Sequence, residues 1–331
     1  MIVAVPHQAT DQATDQSADQ STDPAPPRTA RLHRPLTVAE AVEILADGDA
    51  EILAGGTDLV PALRARQREP RRLVALRRVL ELRSRGASAN MLIIGAGVTY
   101  HDLTGWSLSP GLAAMARVVG SPQIRNTGTV GGALGTANPR GDLLTFLSAV
   151  GTEIVINSAR GARTVDVASF LATGLAPTEL VTAVRLPRPC GPQVYLKIGS
   201  RQAASAALVS CALVVDRVHE RVTCAIGGIA HQPTRPAAAE EFVRQGVDWS
   251  TGTIPADVVA GFGELVAEAA GAVPDPLPDD VGVSAAYRRH AAGVLAARAV
   301  GRCLPAAAPG AIPGSAGPGS AGPGSAGRFR S

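Results

Sequence analysis

The groups in this chain best suited to chemistry are backbone amides rather than acids, bases or nucleophiles. Arg125 to Asp142 reads RNTGTVGGALGTANPRGD, with five glycines, three threonines and one proline. Glycine reaches positive φ and lets another body approach the backbone, so successive N–H groups can turn inward and cradle an anion such as a pyrophosphate. The stretch holds almost nothing large enough to pack, and it is expected to be a loop that builds no core. An isolated Gly-rich loop is also ordinary punctuation between packed elements. A second loop of the same kind, Ala54-Gly55-Gly56-Thr57-Asp58, lies one supersecondary unit upstream. Two such loops in one domain can grip one dinucleotide.

Few side chains compete for a chemical role. Arginine has almost replaced lysine, and Lys197 is the only lysine in the chain. A lone ammonium in such a composition is kept by chance or because a guanidinium would not fit. Tyr195 lies two residues away on an expected strand, so the two side chains share one face. Asp142 closes the Gly-rich stretch and suits the N-cap of the helix that follows. His101 falls in a helix start, where a surface position is the plain expectation. The four cysteines, Cys190, Cys211, Cys224 and Cys303, have no C-x-x-C or other ligand spacing and read as small buried apolar residues. The histidines form no H-x-x-x-H pair, so no protein metal site is visible.

Composition narrows the classes further. A net charge of +3 and an aromatic content of 3% argue against a nucleic-acid surface or a base-stacking platform. No segment is long and apolar enough to span a bilayer, and MIVAVP lacks the basic flank and length of a signal peptide, so the expected location is cytoplasmic. The run Arg64, Arg66, Arg68, Arg71, Arg72, Arg77 and Arg78 reads as a solvated face.

The elements that must position these groups follow from local pattern. Residues 1–30 repeat Thr-Asp-Gln and Ala-Asp-Gln without apolar spacing and are expected to be a disordered arm. Thr37 with Glu40 makes a capping box before a short helix. Glu51 to Ala54 is a strand, 58–66 a helix and 72–76 a strand, a βαβ-like rhythm around the first Gly loop. Strands are expected at 91–94, 152–157, 163–167 and 179–186. Helices are expected from Thr99 with Asp102, at 110–119 and at 143–150. Pro187 to Pro192 (PRPCGP) is the best boundary in the chain. Strands at 193–200, 207–216 and 221–230 and helices near 236–246, 257–270 and 284–302 follow it, an α+β texture. The tail repeats Pro-Gly-Ser-Ala-Gly and has a linker composition. The expected division is therefore 1–30 arm, 31–187 first domain, 192–303 second domain and 304–331 disordered tail.

With these residues laid out, the chain resembles the FAD-binding medium subunit of the molybdenum hydroxylases, the aerobic carbon monoxide dehydrogenase and xanthine dehydrogenase group. AGGTDLVPALR (54–64), IGAGVT (94–99), RNTGTVGG (125–132), ANPRGDLLTFLSAVG (137–151), YLKIGSR (195–201) and AAYRRHAAGVL (285–295) carry the resemblance in order across residues 35–303. It implies an α+β chain, a two-subdomain FAD-binding fold of the PCMH type split near 56–60, then a C-terminal domain with a three-stranded antiparallel sheet and helices. It implies that Ile52, Leu53, Ala54, Gly55, Gly56, Thr57, Asp58 and Leu59 line the pyrophosphate, with Thr129, Val130, Gly131 and Gly132 as the second motif. Asp142, Leu180 and Lys197 match further FAD contacts, and Tyr195 shares the face of Lys197. Val119 stands where some members place an aromatic against the flavin ring. The Gly-Gly loop has no histidine for a covalent flavin bond, so the FAD is expected to be non-covalent.

The implied function is an electron-transfer subunit with no catalytic acid, base or nucleophile of its own. Electrons would come from a small 2Fe-2S partner subunit and leave to NAD, a quinone or oxygen. Hydroxylation would occur on a large molybdopterin subunit, in a dimer of heterotrimers. A self-contained FAD-dependent oxidoreductase and a flavin-free assembly scaffold are the alternatives.

Overall fold

In the computed structural model, residues 30–200, 205–274, 276–278 and 283–306 are described. The expected N-terminal arm, the Pro-Gly-Ser-Ala-Gly tail and Arg201 of the YLKIGSR motif lie outside the described residues.

A small parallel sheet comes first. Strand β1 (Arg31–His33), helix α1 (Val38–Leu45), β2 (Ala50–Leu53), α2 (Leu59–Arg64) and β3 (Arg72–Ala75) fold with strand order β1-β3-β2. Thr37 caps α1 by accepting from the Glu40 N–H at 3.1 Å, while the Glu40 carboxylate reaches back to the Leu36 N–H. The arginine run is exposed as expected, except at Arg72. Its guanidinium is half-buried and bonds to Asp47, Asp49 and the Ile44 carbonyl, which pins the β3 start to the end of α1.

Next come β4 (Arg85–Ala87), β5 (Met91–Gly95), α3 (Tyr100–Thr104), α4 (Pro110–Val118), α5 (Pro122–Thr127), α6 (Val130–Thr136) and α7 (Asp142–Val150). β6 (Glu153–Ser158), β7 (Gly161–Asp166), α8 (Val167–Thr173) and β8 (Glu179–Pro187) follow. The five strands form an antiparallel sheet of order β4-β5-β8-β6-β7. Thr99 and Asp102 make a reciprocal capping box at α3, and His101 is exposed on that helix.

The Gly-rich stretch is not the coreless loop expected from its composition. It forms α5 and α6, and Val130 and Leu134, one helical turn apart, are buried at 0% and 1% exposure. Thr129 closes the gap between the helices by accepting from the Gly132 N–H at 3.1 Å. An i, i+4 apolar pair behind a threonine cap outweighs the low helix propensity of the glycines.

The last unit holds β9 (Gln193–Gly199), β10 (Ala207–Asp216), β11 (Arg221–Gly227), α9 (Ala237–Gly246), α10 (Ala256–Gly271) and α11 (Ala285–Cys303). The strands form an antiparallel sheet of order β11-β10-β9, as expected. Alternation along β10 gives this sheet two interiors. Val209, Cys211, Leu213 and Val215 join the core made with α9, α10 and α11, whereas Ala212, Ala225 and Tyr195 join the core of the preceding units. Small residues on the second face let α7 pack onto β10 and β11. At Gly227 a Cβ would fall 2.1 Å from the Thr145 hydroxyl oxygen, so only glycine fits under α7. Cys211, Cys224 and Cys303 are buried as expected, but Cys190 is exposed in the Pro-rich connection, where no sheet or helix covers it.

Candidate functional site

The two glycine loops meet. A Cβ placed on Gly55 would lie 2.0 Å from the Thr127 carbonyl oxygen and 3.1 Å from Gly128 Cα, so backbone packs directly on backbone. Ala54 faces Gly132 across the same seam, at 3.7 Å from the position a Cβ would take there. At Gly55 only a residue without a side chain allows this approach.

The loops differ in what their amides do. Val130 N–H donates to the Val98 carbonyl at 3.0 Å, Gly131 N–H to the Ala96 carbonyl at 2.8 Å and Gly132 N–H to the Thr129 hydroxyl. The second motif is thus fastened to the turn after β5. The N–H groups of Gly55, Gly56, Thr57 and Asp58 donate to no acceptor among the described residues. Ile52 to Leu59, apart from exposed Asp58, are half-buried, so the run opens from the end of β2 toward the seam. Four unpaired amides beside a wall of glycine backbone suit an anionic dinucleotide, and a flavin dinucleotide fits the residues present on that ground.

Asp142 lies on the far side of the Gly-rich stretch, and its role differs from the expected cap. Gly141 is the N-cap of α7, and Asp142 is the first helical residue, with 7% exposure. No side chain caps α7 by a hydrogen bond. The Tyr195 hydroxyl donates to Oδ1 at 2.5 Å, and Lys197 Nζ donates to Oδ2 at 3.0 Å. Tyr195 and Lys197 share a face of β9, as the two-residue spacing requires, and they converge on one carboxylate. Lys197 also donates to the Val118 carbonyl at 2.7 Å and the Ser205 carbonyl at 3.1 Å. An ammonium has three protons, and all three have acceptors.

The cluster continues on both sides. Val118 ends α4, and Arg125 donates to the next two carbonyls, Val119 at 3.0 Å and Gly120 at 2.8 Å. Two cations therefore serve the C-terminus of α4, where the helix dipole favours positive charge. Val119 is half-buried at that corner. Inward, the Ser210 hydroxyl lies 3.0 Å from the Thr145 hydroxyl of α7. This polar thread joins α7, β9, β10 and the end of α4.

Burial pushes the Asp142 carboxyl above its usual range, and the Lys197 charge and the Tyr195 O–H oppose that rise. Burial, followed by the negative charge of Asp142, pushes the Tyr195 phenol well up, so it remains a proton donor. Leu180 is elsewhere: it is 2% exposed in the core of the five-stranded sheet, and its side chain lines no surface.

Sequence reasoning passed over Tyr100, the first residue of α3. Its N–H donates to the Gly128 carbonyl at 3.1 Å, and its ring packs so closely on Gly128 that a Cβ there would meet Cδ2 at 3.1 Å. Burial raises its phenol, with Asp142 and then Asp58 adding to the effect. One side chain thus senses both loops' acidic ends. The capping box just before it was visible in sequence, but nothing local announced that its ring would sit on the second loop.

Fold and site together define a flavoprotein in which two glycine motifs and an acid–tyrosine–lysine cluster belong to adjoining units. Residues 28–189 match the family model described as FAD binding domain in molybdopterin dehydrogenase, and residues 194–303 match CO dehydrogenase flavoprotein C-terminal domain. The chain is 30% identical to the carbon monoxide dehydrogenase medium chain of Afipia carboxidovorans over 286 residues, covering 82% of this chain and 95% of that relative. It is 32% identical to the glyceraldehyde dehydrogenase medium chain of Sulfolobus acidocaldarius over 219 residues, 62% of this chain and 78% of the relative. The solved structure of a cyanide-inactivated Cu,Mo-CO dehydrogenase superposes with a TM-score of 0.73 at 26% identity, covering 83% of this chain and 97% of that one. The chain belongs to the family of FAD-binding medium subunits of molybdenum hydroxylases, the carbon monoxide and xanthine dehydrogenase group, and is an oxidoreductase subunit.

Proposed function

We propose that this chain holds FAD non-covalently along the seam of the two glycine loops and relays electrons within a larger molybdenum hydroxylase. Residues 31–187 would form the FAD-binding domain and 192–303 the domain that closes over it. The observation that carries the reading is the run of four unpaired amides, Gly55 to Asp58, beginning where Gly55 packs on the Thr127–Gly128 backbone just before the second motif. Ile52 to Leu59 would cradle the pyrophosphate. Thr129 together with Val130, Gly131 and Gly132, the last three with their amides committed to the protein, would supply the opposing wall. Asp142, Tyr195 and Lys197 would set the flavin end of the site. Leu180 would contribute only through the backbone of β8, since its side chain is in the core.

A bound flavin takes up and gives out electrons one or two at a time, which suits a junction between one-electron and two-electron carriers. Within this chain, Tyr195 keeps its proton and donates a hydrogen bond to Asp142, and Lys197 holds that carboxylate against the α4 corner. A small 2Fe-2S subunit would supply electrons, a large molybdopterin subunit would carry out hydroxylation, and the assembly would be a cytoplasmic dimer of heterotrimers. NAD, a quinone or oxygen would be the acceptor. Among the described residues no helix is long and apolar enough to cross a membrane. Purification from the native host tests the reading. The expected result is a yellow protein that releases FAD on denaturation and travels with a small and a large chain. A flavin-free protein refutes the FAD reading, and a solitary chain that turns over a small molecule refutes the subunit reading.

A further inference from the structure

Tyr100 carries a hydroxyl for which the described residues supply no partner. The residue is 8% exposed, yet its hydroxyl makes no hydrogen bond among the described residues. The oxygen is not sealed within the core, because it is absent from the occluded polar atoms that lack partners. The ring is buried while the oxygen keeps contact with solvent, so the hydroxyl is open to a ligand at that point. Tyr195, a residue of equal exposure, instead commits its hydroxyl to Asp142.

The surroundings of Tyr100 say which ligand that open hydroxyl lies beside. Its ring rests on Gly128, and the same Thr127–Gly128 backbone is what Gly55 packs against. Tyr100 is thus stacked against the seam where the loops meet, within electrostatic reach of Asp58 at the end of the first motif and Asp142 at the end of the second. We propose that the Tyr100 hydroxyl is a hydrogen-bond donor to the bound dinucleotide, reaching an acceptor oxygen on its pyrophosphate–ribityl span at the seam of the two loops. This rests on the FAD reading above and adds a side-chain contact to a grip otherwise made of amides. Burial and the neighbouring carboxylates hold the phenol in its protonated form, so it enters the contact as a donor.

The test is Tyr100→Phe in the full chain stripped of flavin, read by titration of FAD fluorescence and by thermal melting without ligand. Phenylalanine keeps the ring on Gly128 and removes only the unpaired oxygen. The expected result is an unchanged or raised melting temperature in the apo protein together with FAD binding weakened about tenfold, the range for losing one hydrogen bond to a polar or charged acceptor. Parallel titrations with ADP and with riboflavin locate the acceptor: a loss confined to ADP places it on the phosphates, and one confined to riboflavin places it on the ribityl chain. Equal FAD affinity in both proteins overturns the assignment while leaving the FAD reading intact. A lower apo melting temperature with unchanged affinity overturns it as well and gives the hydroxyl a purely structural role. A wild-type chain that takes up no FAD overturns the underlying reading itself.

Discussion

Replacing Lys197 by methionine isolates what the only lysine does. Methionine fills much of the same volume but leaves the Asp142 carboxylate, 7% exposed, without its counter-ion. Removing one partner of a buried pair costs about 3–5 kcal/mol, because the remaining charge stays desolvated. The Lys197 side chain is 13% exposed, so some water can enter, and the low end, about 3 kcal/mol, is expected. Proton uptake relieves part of this cost. Burial already raises the Asp142 carboxyl, and loss of the ammonium, one of the two groups opposing the rise, lifts it further. An acid raised in the folded state keeps its proton there while the unfolded chain has lost it, so stability falls as pH rises from the ordinary carboxylate range to the folded value. The variant should therefore lose about 3 kcal/mol near pH 8 and less near pH 5. Urea unfolding at both pH values measures this. In a cycle with Asp142→Asn, the double variant should be more stable than the sum of the singles by about 2 kcal/mol. A penalty equal at both pH values, with singles that add within about 0.5 kcal/mol, would refute a linked buried pair.

Further outcomes follow from the same geometry. Gly55→Ala puts a carbon 2.0 Å from the Thr127 oxygen, against about 3.5 Å for normal contact, so the seam must open; FAD affinity should fall by more than about tenfold, and unchanged binding by titration would show that the loops do not act as one grip. Burial first, and Asp142 second, raise both Tyr100 and Tyr195; an alkaline absorbance titration should find neither ionised before the fold is lost, since their protonated forms are the ones the fold favours. Glu179 is held low chiefly by its hydrogen bonds from Arg163 at 2.7 and 2.9 Å, and Asp166 by Ser169. Depressed carboxyls stabilise above their unfolded values and lose that contribution as pH falls, so melting temperature should drop below about pH 4 and Glu179→Gln should make that drop shallower.

Local pattern made much of this chain legible. Threonine caps, the parallel βαβ rhythm around Gly55-Gly56 and the alternating strands after the Pro-rich connection all depend on neighbours within a few residues, which a sequence displays directly. Composition misled where it was read without spacing. Arg125 to Asp142 looked like a coreless loop because glycine dominates it, yet Thr129 with Val130 and Leu134 already had the pattern of a capped, one-sided helix. Asp142 was read one position too early, as a cap, because a carboxylate at a helix start has the same local signature whether it bonds its own helix or something distant.

The sequence by itself determined the two glycine motifs, the acid at the end of the second, and a tyrosine and lysine on one strand face. It could do so because each is a matter of residue type and short spacing. Tertiary structure alone decided that Asp142 meets Tyr195 and Lys197, 53 and 55 residues away, and that Lys197 has no proton left without an acceptor. Those contacts exist because α7 packs on the small-residue face of β10 and β11, a docking that brings together groups whose separation along the chain carries no signal. The place of Tyr100 has the same origin: only the folding of α3 over Gly128 brings its ring to the seam, and with it the unpaired hydroxyl.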